Sequence, residues 1–270
     1  MNITFIGGGN MACALIGGLL QQDYSPAQIR VTEINTETRE KLRHEFGVEA
    51  VAELTSGIID DAVIVLAVKP QQLSVVAREI APLLKQNLVI SIAAGIRAKT
   101  LSHWLGGYTR VVRAMPNTPA LVRSGVTGLY AMAGVNDEEK REAEGILRAV
   151  GTVQWVESEE LLDAVTATSG SGPAYVFYFI EAMQKAGQEL GLNADQARKL
   201  SIETFLGAAR LAGESMDDAS VLRARVTSPG GTTERAIKSL ENDDVKNEII
   251  RAIHVAHRRS REMGDELGRT

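Results

Sequence analysis

The chain has 270 residues, 44% hydrophobic and 23% charged, and its net charge of −5 is distributed over both halves. That length suits two ordinary domains better than one core, the composition excludes a disordered polymer, and the lack of a basic face or tail argues against a nucleic-acid partner. A single cysteine, Cys13, excludes an intrachain disulfide framework and a multi-cysteine zinc module; with no apolar run near the roughly 20 residues of a membrane helix, the chain reads as reduced, cytoplasmic and without a membrane partner.

Through Met115, short β-rich runs alternate with helix-like stretches, the pattern of a parallel sheet covered on both faces. Strands are expected at 2–6, 29–32, 62–67, 88–93 and 110–114, with helices at 10–21, 37–46, 72–84 and 99–105 and a further helix at 137–150. The third and fourth strands are almost wholly apolar, as strands buried on both faces must be. Beyond residue 158 the strand signals stop, and helices are expected from Ser158, from Pro173 to Gly191, and over 194–213, 219–226, 233–241 and 245–267. The fold class is therefore an α/β Rossmann-type doubly wound sheet, residues 1–160, followed by an all-α dimerisation and substrate-binding domain, residues 161–270. Val176, Phe177, Tyr178, Phe179, Ile180 and Met183 make the 174–190 helix apolar on several sides. Such a helix needs cover on several sides, and a partner chain is its natural source.

The strongest local signal is Gly7-Gly8-Gly9-Asn10-Met11-Ala12 directly after the first strand. Gly7 makes the tight turn, Gly9 lets backbone approach a pyrophosphate, Ala12 allows close packing, and the helix N-terminus offers free N–H groups. Glu33 closes the second strand, where an acid accepts from an adenosine ribose diol and repels a 2′-phosphate; that favours NADH, although Arg39 one turn later offers an alternative phosphate partner. Ala67-Val68-Lys69-Pro70 and Ala93-Ala94-Gly95 end two further strands on the carboxyl edge of the sheet, where ligands of such folds bind. Arg113-Ala114-Met115-Pro116-Asn117-Thr118-Pro119 reads equally as a proline-fixed functional loop or as scaffolding. Ser169-Gly170-Ser171-Gly172-Pro173-Ala174-Tyr175 and Thr227-Ser228-Pro229-Gly230-Gly231-Thr232-Thr233 each place hydroxyls and backbone N–H donors at a helix start, a nest suited to a small carboxylate. The four histidines, His44, His103, His254 and His257, lie on expected helices away from these loops, so neither a histidine acid/base pair nor a metal site is expected.

Taken together, the motifs at 7–12, 67–70, 113–119, 169–175 and 227–234 resemble those of pyrroline-5-carboxylate reductase along essentially the whole chain. The resemblance implies NAD(P)H-dependent reduction of 1-pyrroline-5-carboxylate to L-proline, the last step of proline synthesis, typically with NADPH. It also implies a homodimer interlocked through the helical domain and assembled into a decamer. Carried onto this sequence, the cofactor meets Gly7, Gly8, Gly9, Asn10, Met11 and Glu33, with its nicotinamide end near Ala67, Val68, Lys69, Pro70, Ala93, Ala94 and Gly95. The substrate carboxylate falls to Ser228, Gly230, Gly231, Thr232 and Thr233, and the Thr233 hydroxyl lies near the ring nitrogen as the catalytic group. Leu54 and Glu33-Ile34 depart from the family's adenosine contacts. Two other readings share this architecture. One is a different hydride transfer, by a broader imine reductase or by a β-hydroxyacid dehydrogenase, which needs an acid/base lysine or histidine for which only Lys185 lies near the 169–175 motif; the other is a binding module that holds NAD(P)H without turnover.

Overall fold

The computed structural model of the chain describes residues 1–54 and 62–268. In chain order it contains β1 (Ile3–Ile6), α1 (Asn10–Leu20), β2 (Ile29–Thr32), α2 (Thr36–Phe46), β3 (Glu49–Val51), β4 (Val63–Leu66), α3 (Pro70–Ile80) and β5 (Leu88–Ser91). There follow α4 (Ala98–Trp104), β6 (Val111–Met115), β7 (Gly125–Ala131), α5 (Asp137–Arg148), β8 (Gly151–Trp155) and α6 (Leu161–Val165). The rest is helical: α7 (Gly172–Glu189), α8 (Ala194–Glu214), α9 (Ala219–Arg225), α10 (Thr232–Asn242) and α11 (Val245–Leu267).

Met1–Ser171 and Ala256–Thr270 form one compact unit, and Gly172–Val255 a second. The first is built on an eight-stranded sheet of order β3-β2-β1-β4-β5-β6-β7-β8. Strands β1 to β6 run parallel, β7 reverses against β6, and β8 runs parallel to β7. Strand period separates the two faces: Val63 and Val65 of β4 join Ile3, Phe5, Leu15 and Ile146 in one core, while Ile64 and Leu66 join Leu73, Ile80, Leu101 and Trp104 in the other. Helices end where their sequence stops them. Asn35 caps α2 by accepting from Thr38 N–H, and Gly47 closes it in the left-handed region. Asn136 and Glu139 form a reciprocal capping box on α5.

The five expected strands are present. Three others escape the sequence reading because each lacks a full apolar run: β3 is three residues long at the sheet edge, β7 is broken by Gly125 and Gly128, and β8 alternates half-buried and exposed positions. The contact division also differs from a boundary at 160/161. Leu162 and Asp163 of α6 are buried, and Val165 and Leu162 press on Gly128 of β7, so α6 belongs with the sheet. The last turns of α11 do too, with Leu267 packed on the second core.

In the helical unit, α7 and α8 pack together, with Gly187 allowing the Ala197 side chain to approach. Large apolar side chains stay open to solvent in the single chain: Phe177 is 63% exposed, Tyr178 72% and Leu190 87%. No described helix is long and apolar enough to cross a membrane.

Candidate active site

Strand order changes direction between β1 and β4, the switch point at which open α/β sheets bind ligands. A cleft of about 880 Å³ opens at the carboxyl ends of these strands. Gly7, Gly9, Glu33, Ala67, Val68 and Lys69, all assigned to the cofactor from sequence, line it. Gly7 has φ +101°, and a Cβ there would lie 2.7 Å from the Ala67 carbonyl oxygen, so the turn is fixed by backbone meeting backbone. Gly9 differs: it has φ −69° as the N-cap of α1, and nothing lies within 4 Å of where its Cβ would be. No side chain caps α1, so its first amides face this open space. A pyrophosphate fits there, and a side chain at Gly9 would fill the cradle. Thr32 Oγ1, on the cleft wall, is buried without a partner among the described residues, the kind of group a ligand or water satisfies.

Glu33 is engaged more deeply than a surface acid. Its Oε2 accepts from Gly8 N–H at 2.8 Å and its Oε1 from Asn35 N–H at 2.8 Å, tying the glycine turn to the end of β2. Each oxygen keeps a lone pair for a further donor. Arg39 turns to the loop itself, donating to the carbonyls of Glu33 and Ile34 at 2.7 and 2.8 Å and to Thr36 Oγ1 at 3.0 Å. Among the described residues, those lining the cleft with a charge are Glu33, Glu53, Glu79 and one cation, Lys69.

Gly8, Asn10, Met11 and Pro70 do not line the cleft. Gly8 backs onto Leu42, Asn10 and Met11 begin α1, and Pro70 is the first residue of α3. Ala93, Ala94 and Gly95 follow β5 on the same sheet edge, outside the cleft lining, with Ala93 and Gly95 buried. Leu54 and Ile34, named from sequence as departures at the adenosine end, line it too, and so do Gln72, Val75, Val76 and Glu79 of α3, which were not singled out in sequence. Their signal was available: the α3 residues recur at helical spacing as one face.

Cys13 sits beneath the glycine turn, its thiol donating to Gly8 O at 3.5 Å. Burial pushes the thiol pKa up, which keeps it protonated and leaves it a packing residue.

Two more motifs meet within the sheet unit. Asn117 accepts from Val126 N–H at 2.8 Å and donates to Ser169 O and Oγ at 3.1 and 3.3 Å. Arg113 is buried against Glu159 at 2.8 Å. The Ser169 motif is not the loop expected: Thr166–Gly170 forms a π-helical turn between α6 and α7, and Ser171 N–H is already bonded to Thr166 O at 2.8 Å. The chain winds through without a free helix start.

In the helical unit, Thr227–Gly231 is a true loop before α10, and Gly230 has φ +73°. Two of its assigned amides are engaged internally. Gly230 N–H donates to Glu234 Oε2 at 2.8 Å, and Gly231 N–H to Ser228 O at 3.0 Å. That leaves the first-turn amides of Thr232 and Thr233, which have no acceptor within the helix, beside the half-buried Thr233 side chain.

The chain matches two family models: "Pyrroline-5-carboxylate reductase dimerisation" over residues 159–263 and "NADP oxidoreductase coenzyme F420-dependent" over residues 2–95. It is 46% identical to a pyrroline-5-carboxylate reductase of Pseudomonas aeruginosa over 98% of both chains. A solved pyrroline-5-carboxylate reductase of Coxiella burnetii superposes with a TM-score of 0.92 at 45% identity, covering 97% of this chain and 98% of that one. The Plasmodium falciparum pyrroline carboxylate reductase, solved with NADP bound, does so with a TM-score of 0.86 at 28% identity and 98% coverage of each. The exposed apolar face of α7 lies inside the segment matched as a dimerisation domain, and the match supports a homo-oligomer. Identity of this degree from one end to the other places the chain in the pyrroline-5-carboxylate reductase family.

Proposed function

We propose that the chain reduces 1-pyrroline-5-carboxylate to L-proline with NAD(P)H, in the cytoplasm and as a decamer built of dimers. Family membership supports the reaction. The observation that carries the cofactor half is the unobstructed Gly9 turn at the head of an uncapped helix, on the floor of a dinucleotide-sized cleft. Bound NAD(P)H supplies the hydride that the imine carbon receives. The protein's own residues then have modest work. A cyclic imine is basic enough to be partly protonated near neutral pH, so no strong acid is needed. Thr232 and Thr233 amides hold the substrate carboxylate with Ser228 and the Gly230-Gly231 turn shaping the loop, and the Thr233 hydroxyl orients the ring nitrogen. Holding reactants in register supplies up to about 7–11 kcal/mol of barrier reduction.

NADH is the preferred cofactor in this reading. The Glu33 carboxylate stands fixed at the end of β2, Arg39 is engaged by the loop, and among the described residues three of the four charged side chains lining the cleft are acidic. A 2′-phosphate placed there is repelled, whereas a ribose diol finds acceptors. Following cofactor absorbance with pyrroline-5-carboxylate tests both parts. A kcat/KM for NADH at least 10-fold above that for NADPH is expected. Turnover of neither cofactor would remove the reaction, and a preference for NADPH would remove the role of Glu33.

A further inference from the structure

Behind the Ala93–Gly95 loop lies a polar cluster that none of the chemistry above uses. Asp163 of α6 is 2% exposed. Its Oδ1 accepts from the Ser260 hydroxyl of α11 at 2.7 Å, and its Oδ2 faces Arg97 at 3.7 Å. The other end of the Arg97 guanidinium faces Asp265 at 3.6 Å. Arg97 lies against Gly264, where an added Cβ would stand 3.1 to 3.3 Å from the guanidinium. Two residues earlier in the chain, Gly95 has φ +75°, and a Cβ there would meet Leu267 at 3.0 Å and Met263 at 3.5 Å. The start of α4 is held from the same side, because Glu159 Oε1 accepts from Ala98 N–H at 2.5 Å while pairing with the buried Arg113. The segment from Ala93 to Ala98 is thus gripped by two carboxylates from the 159–163 turn and by the last turns of α11.

A buried carboxylate is a poor way to gain stability, since desolvation offsets most of its attraction. What it provides is direction. Apolar contact between Leu267 and the loop fixes a distance, whereas a carboxylate shared between a hydroxyl and a guanidinium fixes an orientation. The segment held in this way ends β5 on the ligand edge of the sheet, where the nicotinamide end is assigned, and displacements of about 1 Å at a reacting centre cost about 100-fold in rate.

We propose that Asp163, together with Arg97 and Ser260, is a positioning device that sets the Ala93–Gly95 loop for hydride transfer, with the C-terminal turns of α11 as its backing. The proposal rests on the reading that this loop meets the nicotinamide ring. It assigns the chain's last helix a part in the reaction through the loop it backs.

The test uses the full-length protein with Ser260→Ala, which removes one hydrogen bond, Gly264→Ala, which pushes on Arg97, and the pair Arg97→Gln and Arg97→Lys. The first readout is amide hydrogen exchange in protein without cofactor. Exchange over 93–98 rises at least 5-fold in Ser260→Ala, Gly264→Ala and Arg97→Gln, while exchange in β5 stays at the wild-type rate. The second is kinetic: kcat falls at least 10-fold in these variants and the cofactor dissociation constant changes less than 3-fold, because the far end of the cofactor is held by the glycine turn. Arg97→Lys recovers most of kcat. Unchanged exchange over 93–98, or raised exchange with kcat intact, overturns the proposal. Wild-type protein that oxidises neither cofactor instead removes the proposed reaction, and the exchange comparison still decides whether the cluster holds the loop.

Discussion

At the scale of single residues, neighbouring glycines in one motif serve different ends. Gly7 is required by the fold, with φ +101° and a Cβ that would strike the Ala67 carbonyl. Gly9 is not required by the fold, because its backbone conformation suits any residue and the space before it is empty of protein, so its role falls to the proposed cofactor contact. Gly7→Ala is therefore expected to lower stability by about 1–3 kcal/mol. Gly9→Ala is expected to leave the melting temperature unchanged and to raise the KM for the cofactor at least 10-fold. Thermal melts alongside steady-state kinetics separate the two. Thr233 belongs to the same scale: removing its hydroxyl in Thr233→Ala is expected to lower kcat/KM for pyrroline-5-carboxylate about 100-fold, the usual effect of losing one oriented donor, and a wild-type value would exclude it from the mechanism. The two glycines were legible in the sequence because spacing from a strand end announces them, whereas the role of Thr233 came from the resemblance. The partners were not legible. That Glu33 accepts from Gly8 N–H, or that Glu234 engages the Gly230 amide, depends on side-chain rotamers that a linear pattern does not encode.

At the scale of elements, buried apolar strands announce themselves, and strands built on glycine and alternation do not. β4 and β5 are read directly from Val63–Leu66 and Leu88–Ser91, whereas β7 and β8 become strands because the sheet offers them an edge. The π-helical turn at Thr166–Gly170 shows a second limit. Its glycine and serine content resembles a loop, yet Asn117 bonds to Ser169 and to Val126 and so joins this turn to the start of β7. Asn117→Ala leaves the Val126 amide and the Ser169 carbonyl without that partner; Asn117 is buried but Val126 is exposed, so a loss of about 0.5–1.5 kcal/mol follows. Urea denaturation measures it, and Asn117→Asp, which keeps the acceptor for Val126 N–H and loses the donor, should fall between the two.

At the scale of the whole molecule, the helical unit leaves Phe177, Tyr178 and Leu190 uncovered and buries little large apolar surface of its own. A chain of this kind draws part of its stability from its partner, so the melting temperature should rise with protein concentration. Light scattering on the native protein is expected to give a particle of ten chains. Phe177→Glu, which places a charge on the apolar face, should reduce that particle and destabilise the helical unit while the sheet unit keeps its cofactor affinity. A particle of unchanged size in this variant would move the interface elsewhere. The over-apolar pattern of α7 was readable from composition alone, because a helix apolar on several sides states its need for cover without naming the geometry.

The division of the chain bears on its synthesis as well as its chemistry. The sheet unit is assembled from two separate stretches, Met1–Ser171 and Ala256–Thr270, with about 80 residues of the helical unit between them. On a ribosome adding about 5–20 residues per second, roughly 4–16 s pass between the emergence of the sheet and that of its last piece. Through that interval Gly95 and Arg97 lack Met263, Leu267 and Asp265, and the loop they belong to has no backing. A nascent chain halted there holds its phosphate turn complete and its opposite end unfinished, so premature termination near the 3′ end of the message is more harmful than the few residues lost would suggest.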